Sequence, residues 1–562
     1  MLVVQGGAAR AEWPFAREAA EQETTTFPEH VCELAGWRIR VVCDHSHVVE
    51  VRAGGLLIHD RRCRTAGGDD AGGTVEYNGA FLHFTEGEGG ALSVRTDRIA
   101  SIPLYWGCAH GHALFSSRLL DMVKAGFTQP DPLGVYQWVL LGQPLGAATP
   151  LAGVKALPNA CDLQLSPHEG VRSAHAYWQL PELPEEQGEV AASLDDAIDV
   201  LRAAHARAQP LDGARLALPV TGGFDSRCNL ALWQADVPQS VLFHTEDLGR
   251  YELPIAHEIA ARYGRSLVVY SSSDWMSQAT RLDLRLETGE FNAAHWRLAD
   301  SVHRLAQAHG AQATVDGFFQ DYLFKASFVS NAPPQRLFDA QMNIARYRAS
   351  FLEIGTESEV LRTLAESVAQ ATLVEPAGWN ATQRYYVENR SRRLVYNIVR
   401  LNQNYLDVRT PGLDHELIDF ALALPRNLRQ NALLYRHIIN RLDPALARIR
   451  YDKSGLPVMD LRKRSWLRRL RGPLMRNLNH LLPDRRFLRE SETNFSRLLR
   501  ESADFRAQLD AHVSASSWAR ALFGERIIPR LEAQRRKGRP VDDMVGALVT
   551  LAALEAQGRL AG

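Results

Sequence analysis

"LALPVTGGFDSRCNLAL", residues 216–232, decides how the rest of the chain is read. A short apolar run ends in a turn of small residues carrying Asp225, and an apolar run with helical spacing follows. This strand–turn–helix pattern puts Thr221, Gly222, Gly223, Asp225 and Ser226 at the carboxyl end of a buried strand, where ligands of parallel sheets gather. Glycines let backbone N–H groups approach an anion, the helix start adds about half a positive charge, and two hydroxyls are available as donors. Phosphate would repel Asp225 unless Mg²⁺ lay between them, so the turn reads as a nucleotide–magnesium site. GxxxxGK[ST] does not occur here, which excludes a Walker loop. The alternative is a plain Gly-Gly turn in which Asp225 caps the helix.

Outward from that stretch the pattern repeats. Helical spacing in "SLDDAIDVLRAAHARA" precedes it, and strand "SVLFHT", helix "YELPIAHEIAARYG" and strand "SLVVY" follow. Strands alternating with helices of about a dozen residues predict an α/β domain with a parallel sheet covered on both faces. Beyond about residue 350 helical patterns dominate. Residues 1–178 instead hold short β-branched and aromatic runs between Gly-rich turns, and the Pro- and Glu-rich segment 179–190 reads as a linker. The expected layout is therefore 1–178, a linker at 179–190, and 191–562.

Bulk numbers narrow the class. Sixty-four basic residues against 65 acidic ones in 562 leave a formal charge of -1, so no global field selects nucleic acid or membrane. No apolar run approaches the ~18 residues of a membrane span, and the N-terminus has no signal-peptide pattern. Six cysteines without a CxxC pair read as reduced thiols of a cytoplasmic protein. The basic run between 462 and 489 has two readings: an amphipathic helix for a peptide, glycan or membrane surface, or a solvated helix face.

The opening stretch resembles the SGGxDS pyrophosphate loop of the asparagine synthetase superfamily, with Thr221 in place of the first Ser. Four further segments are similar to its motifs in the same order. "SVRTDRIASIPLYWG" matches a hairpin motif at Asp97, Arg98, Pro103, Leu104 and Tyr105. "TVDGFFQDYLF" stands where GxGxDE is expected, and "DVRTPGLDHELIDFALALP" matches at Arg409, Pro411, Leu413 and Asp414. "RYDKSGLPV" matches the segment that supplies the synthetase lysine.

The resemblance implies an N-terminal Ntn-type αββα glutaminase-like domain joined to an ATP-pyrophosphatase domain. The implied enzyme uses ATP and Mg²⁺ to adenylate a carboxylate, then transfers it to an amine or ammonia, releasing AMP and pyrophosphate. Asp225 and Asp321 become the magnesium pair, with Asp316 less firmly tied to it, and Lys453 the charge that stabilises the transition state. His244 and Thr245 line the nucleotide, and Glu252 aligns with a family carboxylate. Phe318 or Phe319 stands where the family carries a glutamate that handles the amine. Tyr322, Glu290 and Glu388 are the substitutes for that role, on the pattern of a tyrosine–glutamate pair in related β-lactam synthetases.

The family's glutaminase uses a cysteine directly after the initiator Met, and Leu2 stands here, so glutamine hydrolysis is not expected. Three functions follow: amidation of a small carboxylate, lactam closure of the lasso-peptide or β-lactam type with a precursor peptide as partner, or a non-catalytic nucleotide-binding scaffold. Neither substrate nor oligomeric state can be read from the chain.

Overall fold

The computed structural model describes residues 3–9, 28–66, 74–182, 184, 187–210, 213–245, 252–270, 292, 296–325, 334–355, 358–373, 379–452, 454–463, 502–537, 539 and 541–561. Lys453, Glu290 and most of the basic run lie outside them.

Alternation of buried and half-buried residues in strand Trp37–Val42 marks a sheet with one face in a core. Two six-stranded antiparallel sheets form in the N-terminal half. In the first, Val3–Ala8 pairs with both Trp37–Val42 and His112–Ser116. In the second, Phe81–Glu86 pairs with Gly55–His59 and Leu92–Thr96. Their facing side chains, among them Val4, Trp37, Ile58, Phe84, Phe115 and Leu163, make one apolar core. Burial of such area, at roughly 25 cal/mol per Å², is what holds the sheets together. Helices Leu119–Lys124 and Pro132–Leu141 share a second core with Tyr105 and Leu114 of the first sheet and with Leu548 and Leu551 of the C-terminal helix Asp542–Ala561.

The C-terminal half is built on a five-stranded parallel sheet. Strand Leu216–Pro219 is central; Val241–Thr245 and Leu267–Tyr270 lie on one side, Ala313–Val315 and Asp407–Arg409 on the other. The order therefore reverses between Leu216–Pro219 and Ala313–Val315. That reversal opens a crevice beyond the carboxyl ends of these two strands. The helical spacing after the turn becomes helix Phe224–Leu232, which starts where Gly223 takes the extended capping conformation. Glycine at 188 binds Asn427 through both its N–H and its carbonyl, at 2.9 and 2.7 Å, which pins the end of segment 179–190.

Arginines close the seam between the halves. Arg98 grips Asp419 with two bonds of 2.6 and 2.9 Å, and Arg61 meets Asp407 at 3.0 Å. Arg62 donates to Thr410 at 3.1 Å, and Arg409 donates to the Asp60 carbonyl at 2.9 Å. Asn78 donates to Asp414 at 3.0 Å and accepts the His415 N–H at 2.8 Å. Arg393 reaches the Gly146 and Ala148 carbonyls from a π-helix spanning Tyr386–Val395. Two family-like segments, "SVRTDRIASIPLYWG" and "DVRTPGLDHELIDFALALP", thus meet across the seam through Arg98 and Asp419.

Candidate active site

The turn after the central strand is held by its own hydroxyls. Thr221 and Ser226 share a 2.7 Å bond between side-chain oxygens, and the Gly223 N–H donates to Thr221 Oγ1 at 3.2 Å. Gly223 caps helix Phe224–Leu232, which leaves the helix's first N–H groups open toward the crevice and places Asp225 in its first turn. His244 ties the neighbouring strand to the turn by a 2.8 Å bond between Nδ1 and the Val220 carbonyl, and Thr245 ends that strand. Glu252 opens helix Glu252–Arg262.

A second segment closes on this turn. Asp452 donates its N–H to the Gly222 carbonyl at 3.3 Å, and a Cβ on Gly222 would lie 2.6 Å from that of Asp452. Arg227, fully buried, donates to the carbonyls of Leu446, Ile449 and Gly222 at 3.0, 2.8 and 3.2 Å, and also to that of Arg450. Burial lowers its pKa to about 10. Phe224 stacks on Tyr451, centroids 4.3 Å apart. Arg227 and Asp452 were not singled out in the sequence, because both act through backbone groups more than 200 residues away.

Carboxylates gather where the two strands end. Asp225 Oδ2 lies 2.5 Å from Lys325 Nζ, while its Oδ1 is buried without a partner. Burial pushes Asp316 up to about 6, against the pull of the Phe318 N–H, and the charges of Asp225 and Asp321 add to the rise. Asp316 Oδ1 accepts that N–H at 2.7 Å. Asp321 sits in the first turn of helix Gln320–Lys325. Burial disfavours the Lys325 charge, but Asp225 and Asp321, with Asp452, outweigh it and raise its pKa. The turn into this helix is strained: Phe319 has φ 72, a left-handed conformation that costs a bulky residue about 1–3 kcal/mol and collects at functional sites.

The expected magnesium pair suits such an ion. Hard carboxylate oxygens are present, and Lys325 contacts only one oxygen of Asp225, leaving Oδ1 buried without a hydrogen-bond partner. Among the described residues no three His, Cys, Asp or Glu side chains stand together as a metal cage.

Other expected residues lie elsewhere. Phe318 packs edge-on against Tyr396 with centroids 4.9 Å apart, and Phe319 stacks on Tyr322 at 4.8 Å. Tyr322 is buried in the apolar core, with Arg429 5.8 Å from its ring centroid. Glu388 pairs with Arg384 at 3.5 Å in a separate cavity of about 390 Å³, lined also by Asn159, Cys161 and Trp178. Burial raises its carboxyl against the opposing arginines 384 and 392. Tyr322 is thus sealed in the core while Glu388 faces a different cavity, so these two candidates do not face one another, and Glu290 lies outside the described residues.

A parallel sheet thus carries an acid-lined turn at its switch point, where ligands of such sheets bind. The chain belongs to the asparagine synthase family, whose model matches residues 198–523, more than half of its length. No curated protein matches it.

Proposed function

We propose that this chain forms an amide bond by adenylating a carboxylate with ATP and letting an amine or ammonia displace AMP, without glutaminase activity of its own. The carrying observation is the acid cluster of Asp225, Asp316 and Asp321 beside an open helix N-terminus at the switch point. In this reading Gly222 and the first N–H groups of helix Phe224–Leu232 face the leaving pyrophosphate, Gly223 caps that helix, and Thr221 and Ser226 add hydroxyls. Asp225 and Asp321 would hold Mg²⁺, which when bound offsets the charge of the phosphates. Lys453 supplies further positive charge in the transition state. His244 and Thr245 line the adenosine side.

The absence of an activated thiol supports the second part of the reading. Burial raises all six cysteines: Cys43 to about 11, Cys63 and Cys228 to about 12, and Cys32, Cys108 and Cys161 in the same direction. A thiol nucleophile needs the opposite shift. The N-terminal half then serves as a buttress whose arginines fix strand Asp407–Arg409 of the synthetase sheet.

ATP–pyrophosphate exchange, screened over candidate carboxylates with ammonia and amines withheld, tests the reading. Exchange that depends on one carboxylate, followed by amide and AMP on adding the amine, is expected. No exchange with any carboxylate and no nucleotide binding would leave a scaffold.

A further inference from the structure

Lys325 ends helix Gln320–Lys325, one turn after Asp321, so both side chains project from the same face. Its ammonium contacts Asp225 Oδ2 at 2.5 Å across 100 residues of sequence, with the side chain only 12% exposed. The Phe224 ring centroid lies 5.7 Å from the same nitrogen, on the helix that carries Asp225. Asp225 cannot turn freely from this partner: Gly317 packs so closely that a Cβ there would lie 2.5 Å from the Asp225 Cβ. The remaining oxygen, Oδ1, is buried and unpartnered. Both oxygens are thus closed to a hydrated divalent ion, one by an ammonium and the other by burial. Mg²⁺ gives up its waters reluctantly and needs near-octahedral space, so an ammonium in contact with Oδ2 competes with it for charge and room.

We propose that Lys325 is a resident counter-cation that holds the Asp225 metal position closed until nucleotide arrives, so that a divalent ion binds this enzyme only together with ATP. The triphosphate gives the ammonium a new acceptor, and Lys325 swings away to free Asp225 Oδ2 for the ion. This rests on the ATP–magnesium reading above. Lys325 acts here as a positioning residue: it sets the order of binding, and it keeps like-charged acids together in the empty enzyme.

The test uses Mn²⁺ as probe, counted by the electron paramagnetic resonance of the free ion, on the full chain with and without α,β-methylene-ATP. Wild type is expected to bind Mn²⁺ at least tenfold more tightly with the analogue than without it. Lys325→Met, and independently Lys325→Gln, should bind Mn²⁺ without nucleotide at least tenfold more tightly than wild type. Added Mn²⁺ should raise the melting temperature of both variants and leave that of nucleotide-free wild type unchanged. A variant folded only in Mn²⁺ would support the proposal equally, since the ion then replaces the lost ammonium. Wild type binding Mn²⁺ equally well with and without analogue overturns it, as do variants that match wild type without nucleotide. If the analogue itself fails to bind wild type, the ATP reading falls instead.

Discussion

The seam between the halves and the turn after the central strand both bury carboxylates, and they treat them in opposite ways. At the seam each acid meets an arginine: Asp60 with Arg62, Asp407 with Arg61 and Arg409, Asp414 with Arg207, Asp419 with Arg98. Burial works against ionisation of Asp60 and Asp414, but Arg62 and Arg207 more than offset it and hold both below the usual carboxylate range. At the turn, Asp225, Asp316, Asp321 and Asp452 draw together around the Lys325 ammonium, while Arg227 spends its donors on carbonyls. A balanced cluster fixes geometry. An unbalanced one stores a demand for positive charge, which is the mark of a site that binds something.

The largest effect should come from unbalancing the seam. Asp414 is fully buried, takes two 2.7 Å bonds from Arg207, and caps helix His415–Ala423 through the Leu417 N–H. Asp414→Ala should cost about 2–4 kcal/mol in urea unfolding, since it removes the helix cap and leaves the Asn78 amide, and one side of the half-buried Arg207, without their buried acceptor. A loss under about 1 kcal/mol would show that the seam contributes little.

At the turn the effect should fall on chemistry, not folding. Asp225→Asn is expected to slow ATP–pyrophosphate exchange by about 100- to 1000-fold, the usual cost of one transition-state contact. Its melting temperature should stay within a few degrees of wild type. An unchanged exchange rate would remove Asp225 from the mechanism.

Acid should reveal that the seam has no room for another positive charge. Burial, with Arg98 and Arg62 adding, lowers His415 to about 3, while Asp414 and Asp419 pull the other way. A depressed histidine contributes stability above its unfolded pKa of ~6.5, and that stability is lost as pH falls toward the folded value. Between pH 7 and 5 this histidine should account for at most about 2 kcal/mol of lost stability. His415→Phe should flatten the pH dependence by that amount, and an unflattened profile would assign the acid loss to other groups.

The smallest effect is none. Iodoacetamide at neutral pH should leave pyrophosphate exchange unchanged, because the one well-exposed thiol, Cys108, lies on strand Tyr105–Ala109 of the N-terminal half. Inactivation protected by glutamine would reverse the reading of that half.

The sequence by itself determined the local chemistry of this protein. Apolar run, small turn, acid and helix follow one another within 17 residues, so periodicity and glycine conformation suffice to read the turn around Asp225. The alternation of strands and helices likewise carried the parallel sheet. The tertiary structure alone decided which distant groups share a space. Asp225 meets Lys325 across 100 residues, Arg227 meets the Ile449 carbonyl across 222, and Arg62 meets Thr410 across 348. Tyr322 and Glu388, two candidates for one role, lie apart for the same reason: side-chain period tells which face a residue occupies, but only packing tells what stands opposite. Charge balance depends on that opposing partner, so the difference between a structural salt bridge and a binding site becomes visible only in the folded chain.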